Sequence, residues 1–280
     1  MLTGSIVALV TPMRDNGDID GVALDSLIEW HIESGTHGIV PVGTTGESAT
    51  LDTDEHLQVI KRTIEVVAKR IPVIAGTGSN STAEAIHQTQ EAQALGADAC
   101  LLVTPYYNRP TQEGLYQHYK AISQATTVPI VLYNVPPRTG CDMQAETVAR
   151  LANFSNIVGI KDACGDATRI TAIKGALTGL AQDEFFLLSG EDAQTLEMMT
   201  LGAVGTISVT ANVLPELMSQ FCASYLAGDH NQARSLDTRL QPVHNALFLE
   251  SSPTPTKWIL SELGRMQGGI RLPLIPLSAQ

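Results

Sequence analysis

The sequence predicts a (β/α)8 barrel followed by a short helical extension, and three observations favour that fold. Eight short apolar runs alternate with longer stretches of helical periodicity. Each run is continuously apolar and rich in β-branched residues or leucine, as strands buried on both faces are. The chain has 280 residues, near the length of about 250 residues that is typical of such a barrel. Strand–helix alternation of this kind implies parallel strands with right-handed crossovers.

The predicted strands are the eight apolar runs. In chain order they are Ser5–Val10, Gly38–Val42, Pro72–Ala75, Ala99–Val103, Pro129–Tyr133, Ile157–Ile160, Phe185–Leu188 and Val204–Val209. An open doubly wound sheet is the rival architecture, and its best cue is a GxGxxG sequence after a strand. The nearest stretch here contains Gly76 and Gly78 but lacks the third glycine. The barrel is therefore favoured.

The helices are predicted from their caps and their amphipathic spacing. The first begins near Asp20, and the second follows Thr53, which can serve as its N-cap. The third begins at Ser81-Thr-Ala-Glu84, the pattern of a capping box in which each side chain accepts the other residue's backbone amide. Later helices are expected after Thr111, Asp142, Asp166 and Glu191.

The barrel is predicted to occupy residues 1–226, and a helical extension to occupy residues 227–280. A Gly228-Asp229 break separates the two parts, and a loop over Ser251–Pro255 precedes a last helix from Thr256 to Leu263. The extension has too little apolar sequence to form a core of its own. We expect its helices to pack on the outside of the barrel.

The composition excludes several classes of function. The formal net charge is −12, whereas nucleic-acid and anionic-membrane binding need basic patches. With 44% hydrophobic and 16% charged residues, the chain has material for a core and too little charge for disorder. Neither a membrane-spanning run nor a signal peptide is evident, and the four cysteines form no CxxC pattern. We therefore expect a cytoplasmic protein.

The candidate active site lies at the C-terminal ends of the strands, where barrels of this kind build their sites. Lys161 follows the wholly apolar run Ile157–Ile160. Loss of hydration there favours the neutral amine, which is the form that attacks a carbonyl group to give a Schiff base. A structural lysine paired with Asp162 or another acid is the alternative.

Hydroxyl groups and an arginine at neighbouring strand ends fit the same chemistry. Tyr133, Tyr107, Thr44 and Thr45 could move protons around a Schiff base or, in a glycine-rich turn, hold a carboxylate. Arg138 lies in a Pro-Pro-Arg-Thr-Gly loop that cannot continue as helix or strand, and its guanidinium could bind a carboxylate with two hydrogen bonds. Taken singly, the tyrosines and threonines are better explained by packing and by turn formation, and Arg138 is equally well explained by a surface salt bridge.

No metal and no cofactor are predicted. None of the seven histidines stands at a strand end. The acids there, Glu47, Glu191 and Asp192, open helices and are explained as caps and helix-dipole partners. Negative charge after the seventh strand also disfavours a phosphate or pyridoxal phosphate, which barrels commonly bind at that place.

Three motifs, in this order, resemble those of the 4-hydroxy-tetrahydrodipicolinate synthase (dihydrodipicolinate synthase) family. This family belongs to the pyruvate-dependent class I aldolase superfamily, with N-acetylneuraminate lyase. The motifs are GTTGE at 43–47, YNVPPRTG at 133–140 and GIKD at 159–162. The segments SGEDA at 189–193 and GTISVTAN at 205–212 support the resemblance, which runs from residue 2 to beyond residue 270.

The resemblance implies an enzyme that condenses pyruvate with L-aspartate 4-semialdehyde to give 4-hydroxy-tetrahydrodipicolinate. That reaction is the first committed step of the diaminopimelate–lysine pathway. Lys161 would form the imine with pyruvate, and Tyr133 would act as acid and base beside it. Thr44 would link Tyr133 to Tyr107 of a neighbouring subunit, which makes a proton relay to solvent.

The resemblance also implies binding residues and an assembly. Thr45 would hold the pyruvate carboxylate, and Arg138 would bind the carboxylate of the semialdehyde. Gly190 and the Ile207 carbonyl would line the pocket. The family is usually a homotetramer built as a dimer of dimers, and a tyrosine shared across subunits makes at least the dimer part of the mechanism.

Members of the family are often inhibited by L-lysine at a site near a subunit interface. The residues here that match this site are Ser48, Ala49, His56, Asn80, Glu84 and Tyr106. Lysine-sensitive members often have histidine at position 53, where this chain has Thr53, so one polar contact is missing. We expect partial or complete inhibition by L-lysine that does not compete with pyruvate at the imine.

Two other functions are weighed against this one. A related pyruvate-dependent aldolase would cleave sialic acid or a keto-sugar acid, but such lyases generally have a Ser-Thr pair in the first motif and lack the loop arginine. This chain has Thr44-Thr45 and Arg138. A catalytically inactive barrel that binds a metabolite for regulation is the other possibility, and the complete set of reactive residues argues against it.

Overall fold

The computed structural model describes residues 2–178 and 185–278, and its sheet confirms the predicted fold class. The strands are β1 (Gly4–Ala8), β2 (Gly38–Val40), β3 (Ile74–Gly76), β4 (Ala99–Val103), β5 (Ile130–Asn134), β6 (Ile157–Asp162), β7 (Phe186–Ser189) and β8 (Gly205–Ser208). They form one sheet in the order β2-β1-β8-β7-β6-β5-β4-β3. A parallel bridge joins Ile39 of β2 to Val73, the residue before β3. The two ends of the order therefore meet, as in a (β/α)8 barrel.

Helices alternate with these strands along the chain. They are α1 (Gly21–Glu33), α2 (Thr53–Val67), α3 (Thr82–Leu95), α4 (Gln112–Ala125), α5 (Pro136–Thr139), α6 (Ala145–Leu151), α7 (Arg169–Ala176), α8 (Thr195–Leu201), α9 (Pro215–Leu226), α10 (His230–Ala246) and α11 (Thr254–Glu262). Across the described ranges, none of the helices has both the length and the apolar composition that a membrane crossing requires.

The start of α2 differs from the prediction. Thr53 is the first residue of the helix, and Asp52 is its N-cap. The Asp52 carboxylate accepts the Glu55 amide at 2.9 Å, and the Glu55 carboxylate accepts the Asp52 amide at 3.1 Å. These two bonds form a full capping box, which satisfies two amides that the helix itself leaves without partners.

The capping box predicted at the start of α3 is only half formed. Ser81 Oγ accepts the Glu84 amide at 3.4 Å, but the Ser81 amide donates to Ser79 Oγ at 3.1 Å. The Ser79 hydroxyl in turn donates to the Glu84 carboxylate at 2.5 Å. The carboxylate is therefore held by a buried serine upstream of the helix and not by the cap residue.

The Pro-Pro-Arg-Thr-Gly segment is helical, so the prediction that it is a loop is wrong. It forms the single turn α5 with both prolines in the first two positions. Proline is tolerated there because the first amides of a helix have no partner within it. Gly140 ends the turn in the left-handed conformation, with φ +68°, and its amide donates to the Pro136 carbonyl at 2.9 Å.

The chain forms two compact units. One unit comprises Ile74–Ile207 together with the first three residues, and the other comprises Gly4–Val73 and Ser208–Gln280. The predicted limit at residue 226 coincides with the end of α9, but the division into a barrel over 1–226 and an extension over 227–280 stays a prediction. The last helix, α11, begins two residues before the expected Thr256, because Pro255 is accommodated in its first turn.

Candidate active site

Lys161 and Tyr133 lie side by side on adjacent strands. β5 and β6 pair in a register that places Tyr133 opposite Lys161, and Lys161 Nζ lies 4.3 Å from the centroid of the tyrosine ring. Lys161 is 5% exposed and Tyr133 is 7% exposed. A primary amine and a phenol therefore share a largely desolvated place at the ends of two strands, where an amine can act as a nucleophile.

Gly190 preserves the space around the Lys161 side chain. Its amide donates to the Asp162 carbonyl at 2.7 Å, which places it against the end of β6. A Cβ atom at this position would lie 3.0 Å from Lys161 Cε and 2.7 Å from the Ala163 Cβ. A larger residue would displace the lysine, so the close approach requires glycine. Ile207 lies on β8 in the same unit and is buried.

A partly buried polar network lies next to this pair, and the sequence motifs do not predict it. The β5–β6 register also places Asn134 opposite Asp162. Asn134 Nδ2 donates to Asp162 at 3.0 Å and to Asp142 at 2.9 Å. Arg169 forms two hydrogen bonds to Asp142, at 2.7 and 3.2 Å, and its Nε lies 4.0 Å from Asp162. Asp162 therefore interacts with Asn134 and Arg169. These partners argue against the alternative in which Lys161 is a structural lysine paired with Asp162.

One sequence signal could have revealed this network. Asn134 and Asp162 follow Tyr133 and Lys161 immediately, so any register that pairs the first two residues also pairs the second two. Because side chains alternate between the faces of a strand, such a second pair points away from the first.

Glu191 caps no helix with its side chain, so the prediction for it is wrong. It precedes a 3₁₀ turn over Asp192–Gln194, in which no side-chain cap bond forms. Burial raises the pKa of the Glu191 carboxyl and Asp192 adds to this effect, whereas Lys161 and Arg138 act in the opposite direction. The carboxyl therefore interacts electrostatically with both cations. Arg138 itself is exposed on α5.

Tyr107 projects from the loop after β4. It is 90% exposed, and its backbone has φ +72°, a conformation that is uncommon for a residue other than glycine. The Tyr107 amide donates to the Thr139 carbonyl at 3.4 Å, and Arg109 Nε donates to the Gly140 carbonyl at 2.9 Å. These contacts tie the loop to α5 and leave the Tyr107 side chain exposed.

The first motif forms a tight turn in the other unit. The Gly46 amide donates to the Gly43 carbonyl at 3.0 Å, and the Glu47 amide donates to the Thr44 carbonyl at 3.1 Å. The Thr11 hydroxyl donates to the Gly46 carbonyl at 2.7 Å. Thr45 is buried and Thr44 is half-buried. The backbone that carries both hydroxyls is thus held by several bonds.

Glu47 forms a buried ion pair, so the expectation that it caps a helix is also wrong. Its carboxylate contacts Lys257 Nζ on α11 and accepts the Arg271 amide at 3.1 Å. No side-chain cap bond to the following 3₁₀ turn, Ser48–Thr50, is formed. The two carboxylate oxygens are occupied by partners more than 200 residues away, which the local sequence does not reveal.

The residues expected at an inhibitor site fall in both units. In one, Asn80 Nδ2 donates to the Tyr106 carbonyl at 3.1 Å, and Glu84 is exposed at the start of α3. In the other, Ser48 and Ala49 lie in the 3₁₀ turn and His56 is buried on α2. Within the first unit, the structure therefore brings Asn80 and Tyr106 into contact.

Similarity to known proteins identifies the family of this chain. The model of the dihydrodipicolinate synthetase family matches residues 1–280. A 4-hydroxy-tetrahydrodipicolinate synthase from Cellvibrio japonicus is 55% identical over 280 residues, which cover 100% of this chain and 95% of that protein.

Solved structures agree with that similarity. A chloride-inhibited dihydrodipicolinate synthase from Acinetobacter baumannii, complexed with pyruvate, is 56% identical with a TM-score of 0.96, covering 99% of this chain and 94% of its own. A dihydrodipicolinate synthase from Cyanidioschyzon merolae with lysine bound is 38% identical with a TM-score of 0.94, covering 99% and 93%. A monomeric dihydrodipicolinate synthase variant is 42% identical with a TM-score of 0.95, covering 99% and 92%.

Proposed function

The chain belongs to the dihydrodipicolinate synthetase family, and on that premise we propose that it condenses pyruvate with L-aspartate 4-semialdehyde. The product is 4-hydroxy-tetrahydrodipicolinate, made in the first committed step of lysine and diaminopimelate biosynthesis. The observation that carries the proposal is the buried Lys161 amine, 4.3 Å from the Tyr133 ring centroid. Relatives named as this synthase support the activity over that of a sialic acid or keto-sugar acid lyase.

The chemistry starts at Lys161. Its neutral amine attacks the C2 carbonyl of pyruvate, the carbonyl oxygen leaves as water, and an imine remains. Loss of a proton from the pyruvate methyl group gives an enamine, whose carbon attacks the aldehyde of the second substrate. The amino group of that substrate then attacks C2 of the re-formed imine and displaces the Lys161 amine, which closes the ring and frees the enzyme. Tyr133 supplies and removes protons in these steps, because its phenol lies beside the amine and the neighbouring strands leave little water to compete.

Other residues take the roles that the resemblance implies. Thr45 holds the pyruvate carboxylate, Arg138 binds the carboxylate of the semialdehyde, and Gly190 with the Ile207 carbonyl lines the pocket. Thr44 links Tyr133 to Tyr107 of a neighbouring subunit. The exposure of the Tyr107 ring, 90% in the single chain, supports this assignment, because a relay shared between subunits needs a side chain that leaves its own.

The assembly, compartment and regulation follow from the same proposal. The enzyme is a homotetramer built as a dimer of dimers and works in the cytoplasm, where its cysteines, which form no disulfide among the described residues, stay reduced. L-Lysine inhibits it at the site that contains Asn80, Glu84 and Tyr106. The lysine bound in a relative 38% identical to this chain supports a site for that amino acid in the family.

Trapping the imine tests the proposal directly. Pyruvate with borohydride should inactivate the protein and leave a reduced adduct on Lys161 alone, identified by mass mapping of the modified peptide. Lys161→Ala should lose nearly all activity, because the covalent step itself is removed.

Lys174 provides a matched control for this experiment. It is an exposed lysine of the same unit, and Lys174→Ala should trap pyruvate as the unchanged protein does. An adduct on another lysine would contradict the role of Lys161. Absence of any adduct would contradict the Schiff-base mechanism and revive the barrel that only binds a metabolite.

A further inference from the structure

We propose that Lys257 and Arg271 are positioning residues that hold the turn carrying Thr44 and Thr45. We call residues 43–50 the first-motif turn. The inference rests on the proposed function, in which Thr45 holds the pyruvate carboxylate and Thr44 belongs to the proton relay. In this inference, two residues more than 200 positions away in the sequence contribute to pyruvate binding by supporting the turn.

The contact between Lys257 and Glu47 is the first support. Lys257 Nζ pairs with the Glu47 carboxylate, and the two side chains are 2% and 1% exposed. Burial lowers the pKa of Lys257, while the Glu47 charge opposes that effect. A lysine and a glutamate at this depth are stable as ions only when paired, since each charge loses its hydration. The pair therefore holds Glu47 at one place relative to α11.

Arg271 is the second support, and it contacts the turn at two places. Its backbone amide donates to the Glu47 carboxylate at 3.1 Å, and its guanidinium donates to the Thr50 carbonyl at 2.9 Å. The same guanidinium forms two bonds of 2.6 Å to Glu55 on α2. It also donates through Nε to the Gly17 carbonyl at 2.9 Å. One side chain thus links the turn to two neighbouring segments.

The turn transmits the position of Glu47 to the two threonines. Glu47 has φ +56°, and its amide donates to the Thr44 carbonyl at 3.1 Å. Gly46 is packed closely against the preceding chain, because a Cβ atom there would lie 3.0 Å from the Val42 backbone. A strained, closely packed backbone of this kind keeps its conformation only when its surroundings hold it. Loss of either support should therefore displace the hydroxyls of Thr44 and Thr45.

A purely structural role does not account for this arrangement. Replacing a buried ion pair with apolar residues of similar volume often causes no loss of stability. A contribution to stability alone therefore does not explain why a buried ion pair is present. Its directional bonds hold one geometry, which is what a carboxylate-binding turn requires.

Three variants and one control test the inference. Glu47→Gln combined with Lys257→Met removes both buried charges, Lys257→Met removes one, and Arg271→Gln removes the guanidinium. In each folded variant, the pyruvate concentration for half-maximal borohydride trapping should rise roughly tenfold or more, as expected when groups that position a substrate shift. The KM for aspartate semialdehyde should change much less.

Arg70→Gln is the matched control. Arg70 forms two bonds to Glu29, at 2.7 and 2.6 Å, within the same unit but away from the first-motif turn, and its loss should leave pyruvate trapping unchanged. If Lys257→Met does not fold, the double variant and Arg271→Gln decide. Wild-type trapping in those two folded variants would overturn the inference, because the supports would then be structural only. Absence of any imine in the unchanged protein would instead overturn the proposed function, and the inference with it.

Discussion

At the scale of single residues, the surroundings of a side chain decide which chemistry it can perform. Lysine is usually exposed at protein surfaces, but the Lys161 side chain is only 5% exposed and lies beside the Tyr133 ring. Gly190 has no side chain that would crowd it. Lys257 is buried even more completely, yet it is paired with Glu47. The two buried lysines therefore differ in partner, and only Lys161 has surroundings that suit a nucleophile.

Arg138 should decide the binding of the second substrate. We expect Arg138→Ala to raise the KM for aspartate semialdehyde and to lower kcat, with kcat/KM falling roughly tenfold to a hundredfold, as for loss of hydrogen bonds to a charged group. Imine trapping with pyruvate should be nearly unchanged. Arg138→Lys should not restore full activity, because an ammonium lacks the planar pair of donors.

Arg150 is the control for that measurement. It is an arginine of the same unit, paired on the surface with Glu113, and Arg150→Ala should leave both kinetic constants unchanged. Equal losses in trapping and in semialdehyde turnover for Arg138→Ala would mean that Arg138 holds the scaffold or the pyruvate.

At the scale of elements, the ends of strands and the starts of helices carry the candidate sites. The β5–β6 register places Tyr133 opposite Lys161 and Asn134 opposite Asp162. The half-formed box at α3 leaves the Glu84 carboxylate exposed and held by Ser79. Since Ser81 Oγ still accepts the Glu84 amide, the helix start retains its own cap when the carboxylate is removed. A substitution of Glu84 can therefore test inhibitor binding without removing the helix cap.

Glu84→Ala should therefore weaken inhibition by L-lysine without unfolding α3. The concentration of lysine for half inhibition should rise roughly tenfold, in keeping with loss of one charged hydrogen bond. The measurement is a lysine titration of activity at saturating pyruvate, with Glu91→Ala on the same helix as the control. An enzyme that ignores millimolar lysine would refute the allosteric role, and inhibition that survives Glu84→Ala unchanged would place the effector elsewhere.

At the scale of the whole molecule, the proposed mechanism makes the exposed Tyr107 a link between catalysis and assembly. Its ring is among the most exposed large side chains of the described residues, and the positive φ at Tyr107 carries some conformational cost. Under the proposed mechanism each site takes Lys161 from one subunit and Tyr107 from another. Activity then depends on at least a dimer.

Mixing two impaired variants should restore activity if this is correct. When Tyr107→Phe and Lys161→Ala are dissociated, mixed and reassembled, about one quarter of the wild-type activity should return, because half of randomly formed twofold pairs contain one complete site of two. Lys161→Ala mixed with Arg138→Ala is the control and should regain nothing, since those residues serve the same site from one subunit. No recovery in the first mixture would place Tyr107 in its own subunit's site.

The sequence by itself determined the features that depend on local pattern. Continuous apolar runs located all eight strands to within a few residues, because a strand buried on both faces needs apolar side chains throughout. The three ordered motifs are specific enough to identify the family without any geometry. The sequence predicts helix caps less accurately than strands. Asp20 and Ser81 are the N-caps of their helices, as predicted. For α2 the sequence offers two adjacent residues that commonly cap helices, Asp52 and Thr53, and the N-cap is Asp52.

The tertiary structure alone decided which distant groups meet. From the local sequence, Glu47 is predicted to cap the turn that follows it. Its partner is instead Lys257, which lies 210 positions further along the chain. Likewise, nothing near Asp142 in the sequence indicates that it meets Arg169 and Asn134. Periodicity and capping report interactions within a few residues, whereas a buried charge is paired by whatever element the fold packs against it. The pairing therefore follows from the packing of the elements, which no local pattern encodes.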